Sequence, residues 1–181
     1  MSLSQSIKSI QDIMRKDDGV AGDAQRIAQL SWMLFLKRFS DLEDELDVTE
    51  DDYVSPIPPE LRWKTWADTK PEKDQLKGKP LLDLVDGRLF PTLKALDPDE
   101  SNAVHSRVLL LKSVFGEAYN YMKDGTLLRQ VINKINKDFN FNRSEVSNQF
   151  GDIYEQILKD LQSAGNAGEF YTPRAVTQFM V

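Results

Sequence analysis

The stretch DAQRIAQLSWMLFLKRFSDLEDEL, residues 23–46, decides the fold of this 181-residue chain. Its apolar residues recur at spacings of three and four, which predicts one long helix with Asp23 as its N-terminal cap and an end near Leu46. The middle of the helix is apolar on almost every side, because four further apolar residues fall outside the main stripe: Trp32, Met33, Leu36 and Phe39. A helix that is apolar all round must be surrounded by other elements, so we expect the central helix of a bundle.

Other segments also have helical spacing, and no segment alternates apolar and polar residues for long enough to form a sheet. A short first helix is expected to end at the Asp17-Asp18-Gly19 turn. Later apolar stripes predict further helices over residues 81–96, over 104–115, from a Thr126 cap to Ile135, and from a Ser144 cap to Leu161. The predicted fold class is therefore all-α, a helical bundle.

The segment from Tyr53 to Pro80 interrupts this pattern. It holds five of the eight prolines and two of the three tryptophans, Trp63 and Trp66. Because proline removes an amide donor and fixes φ, we expect a long irregular insertion over residues 53–80. The same segment is locally basic, so the tryptophans have two interpretations. They form a stacking platform for single-stranded bases, or they pin the insertion onto the bundle.

Charge and composition exclude several classes of protein. The net charge is −6, which argues against a globally basic nucleic-acid binder. Most of that charge comes from residues 41–52, which contain eight acids and no base. This acidic run is either a solvated helix end and loop, or a patch that repels DNA or docks a basic partner. No apolar stretch is long enough to span a membrane and no secretory signal is visible, so we expect a cytoplasmic protein.

Catalytic and metal-binding motifs are missing from the sequence. There is no cysteine and a single histidine, His105, so thiolate chemistry and histidine-pair metal sites are excluded. The glycine-rich dinucleotide and phosphate loops and the nucleophile elbow are absent as well. His105 lies in a helical stretch and is expected to be an ordinary helix residue. We therefore expect no metal site and no catalytic residue in this chain.

The C-terminal stretch carries the clearest functional signal. A linker of small residues, 162–168, precedes Glu169-Phe170-Tyr171-Thr172-Pro173-Arg174. Thr172 is an N-cap residue and Pro173 suits the first helical position, so a new helix is predicted there. The chain stops within that helix, which predicts that it is the first part of a longer protein.

The element GEFYTPR, residues 168–174, resembles the motif at the entrance to the catalytic domain of DNA adenine-N6 methyltransferases. It is most similar to the modification (methylase) subunit of type I restriction–modification systems, where Gly-x-Phe/Tyr-Tyr/Phe-Thr-Pro-Arg stands in that place. LFLKRFSD at 34–41 and FGDIYEQIL at 150–158 are similar to helices of that family's N-terminal domain. The resemblance covers essentially the whole chain.

In that family this element lines the S-adenosylmethionine pocket. The resemblance therefore implies six cofactor-binding residues: Glu169, Phe170, Tyr171, Thr172, Pro173 and Arg174. Aromatic faces suit the sulfonium cation and a helix N-terminus suits the carboxylate of the cofactor. The alternative is a plain capped helix after a linker. The family's glycine-rich cofactor loop and Asn-Pro-Pro-Tyr/Phe motif are absent here. We therefore expect this chain alone to be inactive and to bind S-adenosylmethionine weakly or not at all.

The resemblance also implies an organisation and a set of partners. Residues 1–164 would form a helical N-terminal domain. Residues 165–181 would form the linker and the first helix of a truncated α/β methyltransferase domain. The full-length protein would methylate adenine N6 in double-stranded DNA, together with a specificity subunit, a restriction subunit and a second copy of itself. Its N-terminal domain would serve assembly and enclose DNA, with a locally basic inner face built from six candidates: Arg62, Lys64, Lys70, Lys73, Lys77 and Lys79.

Two other functions stay open at this point. One is a fragment of a single-chain restriction–methylation enzyme with the same entry motif. The other is a helical protein-interaction adaptor unrelated to methylation.

Overall fold

The computed structural model describes residues 3–68, 71–98, 104–141, 151–153 and 155. These residues form helices and turns and no strand, as the sequence predicts. The helices are α1 (Leu3–Met14), α2 (Asp23–Thr49), α3 (Trp63–Trp66), α4 (Gly78–Leu84), α5 (Phe90–Ala95), α6 (His105–Phe115) and α7 (Gly125–Asp138). Short 3-10 turns occupy Asp18–Val20, Pro59–Leu61 and Glu72–Asp74, and a π turn at Val85–Leu89 joins α4 to α5.

Helix α2 is the centre of the bundle. Residues 32–36 of α2 are all buried, which confirms the prediction that other elements surround the apolar middle of this helix. Trp32 meets Phe90 of α5 edge to face, with ring centroids 5.1 Å apart, and Phe35 meets Phe115 of α6 at 6.1 Å. Such pairs are stabilising beyond the apolar area that they bury. The aromatic residues of α2 thus hold α5 and α6 against it.

Helices α1 and α7 pack against each other on another side of the bundle. Each is amphipathic, and the buried stripe of α1 includes Ile7, Ile10 and Met14. The buried stripe of α7 includes Leu128, Val131, Ile132 and Ile135. Both stripes follow the spacing that the sequence shows, because a helix with one apolar face is stable only where that face is covered.

One prolonged helix runs from Gly78 to Ala95 and is interrupted by the π turn. Pro91 has no amide hydrogen and cannot donate to the carbonyl of Gly87, four residues earlier. The amide of Phe90 donates instead to Val85, five residues back, which produces the wider turn. The apolar stripe over residues 81–96 predicts one helix and does not indicate this turn.

Asp17 joins two loops that are far apart in the sequence. Its buried carboxylate accepts a hydrogen bond from Gly19 N at 2.8 Å, closing the turn after α1. It also accepts from Lys123 N at 3.0 Å and from Asp124 N at 2.8 Å, just before α7. Three amides thus make four hydrogen-bond contacts with this buried carboxylate, because Lys123 N contacts both of its oxygens. These contacts stabilise its negative charge.

Two predicted helix caps are wrong by one or two residues. The cap of α2 is Gly22, and Asp23 is the first helical residue, where it pairs with Arg26. Helix α2 also continues to Thr49, beyond the predicted end near Leu46. The cap of α7 is Asp124, whose side chain accepts from the amides of Thr126 and Leu127. A carboxylate two residues before Thr126 reaches these amides and thereby moves the start of the helix.

The first part of the acidic run is not solvated. Asp41 is buried, pairs with Lys37 at 2.5 Å and accepts from Phe141 N at 3.1 Å. Glu43 is also buried and accepts from the hydroxyls of Tyr53 and Ser55. Both carboxylates therefore fix chain segments that follow later in the sequence. The exposed part of the run begins after them.

Several predictions fall on other parts of the chain. The helix capped by Ser144 lies largely outside the described residues, of which 151–153 and 155 are helical and Ile153 is buried. The Thr172–Pro173 helix lies wholly outside them. Among the residues that the structure describes, no helix combines the length and apolar character needed to cross a bilayer.

We expect Asp17→Asn to lower the free energy of unfolding by about 1–3 kcal/mol, because the amide group presents donors to amides that need an acceptor. Urea denaturation of the chain measures this change. Asp18→Asn is the matched control, since Asp18 is exposed and lies one residue further along. Equal stability of the two variants would contradict the role given to Asp17.

Candidate functional site

The proline- and tryptophan-rich segment, residues 53–80, carries the predicted basic residues. Arg129 of α7 holds it in place. The guanidinium group is 4% exposed and donates to three carbonyl oxygens of the segment: Trp66 O at 2.8 Å, Ala67 O at 3.3 Å and Leu76 O at 2.6 Å. Burial lowers the pKa of Arg129 below its usual value. The arginine acts as a clamp between α7 and an irregular backbone that has few partners of its own.

Both tryptophans of the segment are buried. Trp63 Nε1 donates to Asn136 Oδ1 at 2.8 Å, and Trp66 Nε1 donates to Leu61 O at 3.0 Å. Their rings meet edge to face at 5.3 Å. A stacking platform for bases needs an exposed ring face, and neither ring offers one. The interpretation in which the tryptophans pin the segment onto the bundle is confirmed.

The predicted DNA-facing residues are in different states. Arg62 donates to Ile57 O at 3.2 Å, Lys64 pairs with Asp44 at 2.6 Å, and Lys79 pairs with Asp83 at 2.5 Å. Lys73 and Lys77 are exposed and make no ion pair within the described part of the chain. Lys70 lies outside the described residues. Lys73 and Lys77 are thus the two described candidates whose ammonium groups are available to a phosphate without breaking a contact.

The predicted cofactor-binding residues lie outside the described residues as well. These are Glu169, Phe170, Tyr171, Thr172, Pro173 and Arg174. Their placement in S-adenosylmethionine binding therefore rests on the sequence.

A groove that the sequence analysis missed lies beside the π turn, with a volume of about 480 Å³. Its lining residues are Asp86, Phe90, Pro91, Lys94, Tyr119, Asn120 and Lys123. The ammonium group of Lys94 lies over the Tyr119 ring at 4.6 Å and within 5.9 Å of Phe90. Such a contact between a cation and an aromatic face keeps both side chains ordered at the surface. In the sequence, only Pro91 within a helical stripe hinted at a local irregularity.

A hydrogen-bonded network supports one end of this groove. The buried Gln29 of α2 donates to Asn120 Oδ1 at 2.8 Å and accepts from Tyr121 N at 2.7 Å. Asn120 Nδ2 donates in turn to Asp86 Oδ1 at 3.0 Å. The network fixes the loop after α6 to both α2 and the π turn. It could not be read from the sequence, because its members are about 90 and 34 residues apart.

A second charged surface lies at the C-terminal end of α2, away from Gln29. We call this surface the acidic tip and define it as residues 44–54. Arg107 at the start of α6 reaches it, with the guanidinium group 4.9 Å from the Tyr53 ring and 3.7 Å from Glu50. Burial and the neighbouring Glu43 carboxylate raise the pKa of Tyr53 well above its usual range. Its hydroxyl therefore remains a donor to Glu43 at any physiological pH.

None of the residues that the structure describes form a group of three or more histidine, aspartate or glutamate side chains that could hold a metal ion. His105 is the first residue of α6 and is half-buried.

Two stretches of the chain match known families. Residues 3–135 match the family described as the HsdM N-terminal domain, and residues 145–181 match the N-6 DNA methylase family. The methylase subunit of the type I restriction enzyme EcoEI from Escherichia coli is 58% identical over 182 residues. This similarity covers 100% of the chain and 36% of the relative. The chain thus spans about a third of the length of that relative.

Solved structures share the fold. A modification subunit assigned to a type I restriction enzyme from Vibrio vulnificus YJ016 is similar with a TM-score of 0.76 and 35% identity, over 99% of this chain and 39% of that one. A second structure, which describes complex assembly and conformational transition of the type I R-M system, has a TM-score of 0.72 and 29% identity. The similarity covers 95% of this chain and 33% of the chain in that structure.

Removal of the hydrogen bonds from Arg129 should loosen the proline- and tryptophan-rich segment. Buried carbonyls without a donor cost about 1–3 kcal/mol each, so we expect Arg129→Met to lower the free energy of unfolding by roughly 2–4 kcal/mol. Tryptophan emission should also shift to longer wavelength as Trp63 and Trp66 meet water. Gln130→Met, at the next and exposed position of α7, is the control and should change neither quantity. Native-like emission and stability of Arg129→Met would show that the clamp is dispensable.

Proposed function

The chain belongs to the family of HsdM N-terminal domains, and from that premise we propose that it forms the assembly and DNA-enclosing domain of a type I restriction–modification methylase subunit. The observation that carries this proposal is the order of the two family matches, an HsdM N-terminal domain over residues 3–135 and then an N-6 DNA methylase match over residues 145–181. The identity of 58% with a methylase subunit along the whole chain supports it.

For the complete protein we propose transfer of a methyl group to adenine N6 in DNA. S-adenosylmethionine supplies the methyl group when it is bound. Phe170 and Tyr171 would face the sulfonium cation, and the helix that begins at Thr172–Pro173 would present its amide end to the carboxylate of the cofactor. The remaining catalytic parts of the family motif are absent from these 181 residues, so we propose that this chain alone is inactive.

We further propose that the protein works in an assembly with a specificity subunit, a restriction subunit and a second copy of the methylase subunit. Support comes from the likeness to a structure concerned with complex assembly in a type I R-M system. Since its substrate would be DNA, we propose a cytoplasmic location.

The proposed DNA-facing surface is formed by the basic residues from Arg62 to Lys79 in the proline- and tryptophan-rich segment. We call this surface the basic wall. Lys73 and Lys77 are its strongest candidates, because both are exposed and make no ion pair among the described residues. Arg62, Lys64 and Lys79 could contribute only after they leave their present partners. Arg129 and the buried tryptophans hold this wall rigid, so the lysines would be presented to the phosphates without a large ordering cost.

The two alternative functions are less well supported. An adaptor unrelated to methylation does not account for the N-6 DNA methylase match over residues 145–181. A single-chain restriction–methylation enzyme would share the entry motif, but the relative with 58% identity is a separate methylase subunit.

The cofactor assignment is tested in the complete methylase by the change Tyr171→Ala. Loss of an aromatic face beside a sulfonium cation removes about 1–2 kcal/mol, so binding of S-adenosylmethionine should weaken by roughly tenfold. Equilibrium binding of labelled cofactor and methyl incorporation into adenine measure the effect. Gln178→Ala, seven residues along the same segment, is the control. Unchanged cofactor binding in Tyr171→Ala would remove this residue from the site.

The DNA-facing assignment is tested by Lys73→Glu with Lys77→Glu in the assembled complex. Loss of two phosphate contacts should make the slope of log K against log salt concentration less negative by about 1.8 and weaken binding to all DNA sequences alike. Lys8→Glu with Lys137→Glu makes the same charge change on α1 and α7 and should leave the slope as it was. Equal effects of the two pairs would mean that only net charge matters.

A further inference from the structure

Helix α2 holds both backbone polar groups of one residue beyond α7. Asp41 Oδ2 accepts from Phe141 N at 3.1 Å, and Arg38 Nη1 donates to Phe141 O at 3.4 Å. Because Arg38 and Asp41 are three residues apart, they project from the same face of α2. These two hydrogen bonds fix the register of the chain against α2 at Phe141. We call Arg38, Asp41 and Phe141 the α2 junction.

The α2 junction is buried and well supported. Phe141 is 1% exposed, and its ring stacks on Phe139 with centroids 6.3 Å apart. The second carboxylate oxygen of Asp41 accepts from Lys37 at 2.5 Å. A cation on the same helix thus holds the acid in place and leaves its other oxygen for the Phe141 amide.

A second fixed point lies further along the chain, at Ile153. Its side chain is 1% exposed and belongs to the same hydrophobic core as Phe139 and Phe141. Residues 145–181 match the N-6 DNA methylase family, so Ile153 lies within that match. The core of the helical bundle therefore extends into the methylase match.

The two fixed points connect two stretches that the sequence analysis singled out. Arg38 and Asp41 belong to LFLKRFSD at 34–41, and Ile153 belongs to FGDIYEQIL at 150–158. The first stretch holds the chain just before residue 145, where the methylase match begins, and the second anchors the match itself. The chain thus enters the methylase match from a defined position on the central helix.

We propose that Arg38 and Asp41 are positioning residues for methyl transfer, which act through Phe141 by fixing the point from which the chain continues to the cofactor element at residues 169–174. The proposal rests on the proposed function, in which the helical domain encloses DNA and the methylase domain holds the methyl donor. Transfer then requires that both domains hold the reacting groups in one geometry, and a loose junction adds an ordering cost to it. The cofactor site itself is unaffected by such a loss.

The change Asp41→Ala in the complete methylase, in its assembled complex, tests this role. We expect kcat/KM for DNA to fall by about tenfold or more, because a small misplacement of bound reactants slows their reaction strongly. The dissociation constant for S-adenosylmethionine should remain that of the unmodified protein. Methyl incorporation and equilibrium cofactor binding, both below the unfolding temperature of the variant, measure these quantities.

Glu43→Ala is the matched control, since Glu43 is also a buried acid of α2 but accepts from the hydroxyls of Tyr53 and Ser55. It should lose thermal stability as Asp41→Ala does and yet keep the native kcat/KM for DNA. Equal losses of kcat/KM in the two variants would overturn the proposal, because stability alone would then explain the effect. So would a native kcat/KM in Asp41→Ala.

A second pair of variants keeps the test decisive if Asp41→Ala does not fold. Arg38 is half-buried. Arg38→Met removes the donor to Phe141 O, whereas Arg38→Lys retains one. We expect Arg38→Met to lower kcat/KM for DNA and Arg38→Lys to keep most of it. Equal kcat/KM values for the two variants would contradict the proposal.

Amide hydrogen exchange in the 181-residue chain tests the α2 junction without any activity. In Asp41→Ala the Phe141 amide should exchange faster by roughly tenfold or more, since its acceptor is gone. The amide of Ile132, in the middle of α7, should keep its native protection. Native exchange at Phe141 in this variant would overturn the proposal.

The second fixed point is tested by Ile153→Ala, which should lower the unfolding temperature of the 181-residue chain by roughly 5–10 °C. Asp152→Ala, at the neighbouring exposed position, should leave it unchanged. Equal unfolding temperatures would contradict the anchoring of the methylase match in the helical core. Failure of the proposed function differs from all these results, because the unmodified complex would then not methylate adenine at all.

Discussion

The apolar middle of α2 is the constraint on which the rest of the structure depends. A helix that is apolar on all sides is stable only when every side is covered, and this chain covers it with short helices. Trp32 and Phe35 contact Phe90 and Phe115, which brings α5 and α6 to one side. Helices α3 and α7 also contact α2, and α1 packs against α7. Charged residues such as Lys73, Lys77 and Asp47 are left on the surface, where they are available for interactions.

Buried polar groups determine how the irregular segments are held on this core. Arg129, Asp17 and Gln29 each bind backbone atoms of a distant loop through a side chain that is almost inaccessible to water. A buried polar group without a partner is costly, so each of these side chains fixes its loop in one position. Surface residues such as Lys73 and Tyr119 owe their placement to these inner contacts.

The two family matches divide the sequence into two parts with different features. The part that matches the HsdM N-terminal domain contributes surfaces of differing charge, and the part that matches the N-6 DNA methylase family contains the element GEFYTPR at residues 168–174. The acidic tip, the basic wall and the groove beside the π turn are distinct surfaces.

The sequence by itself determined the helical class and the central place of α2, because helical periodicity is set by spacings of a few residues. The long irregular insertion predicted over residues 53–80 instead contains the short helix α3 and the first turn of α4. The sequence also contained the element GEFYTPR, which is local. Tertiary structure alone decided that Asp41 and Glu43 are buried, that the tryptophans face inward and that Asn120, Lys94 and Tyr119 meet at a groove. These outcomes depend on contacts between residues tens of positions apart, which arise only when the chain packs around α2.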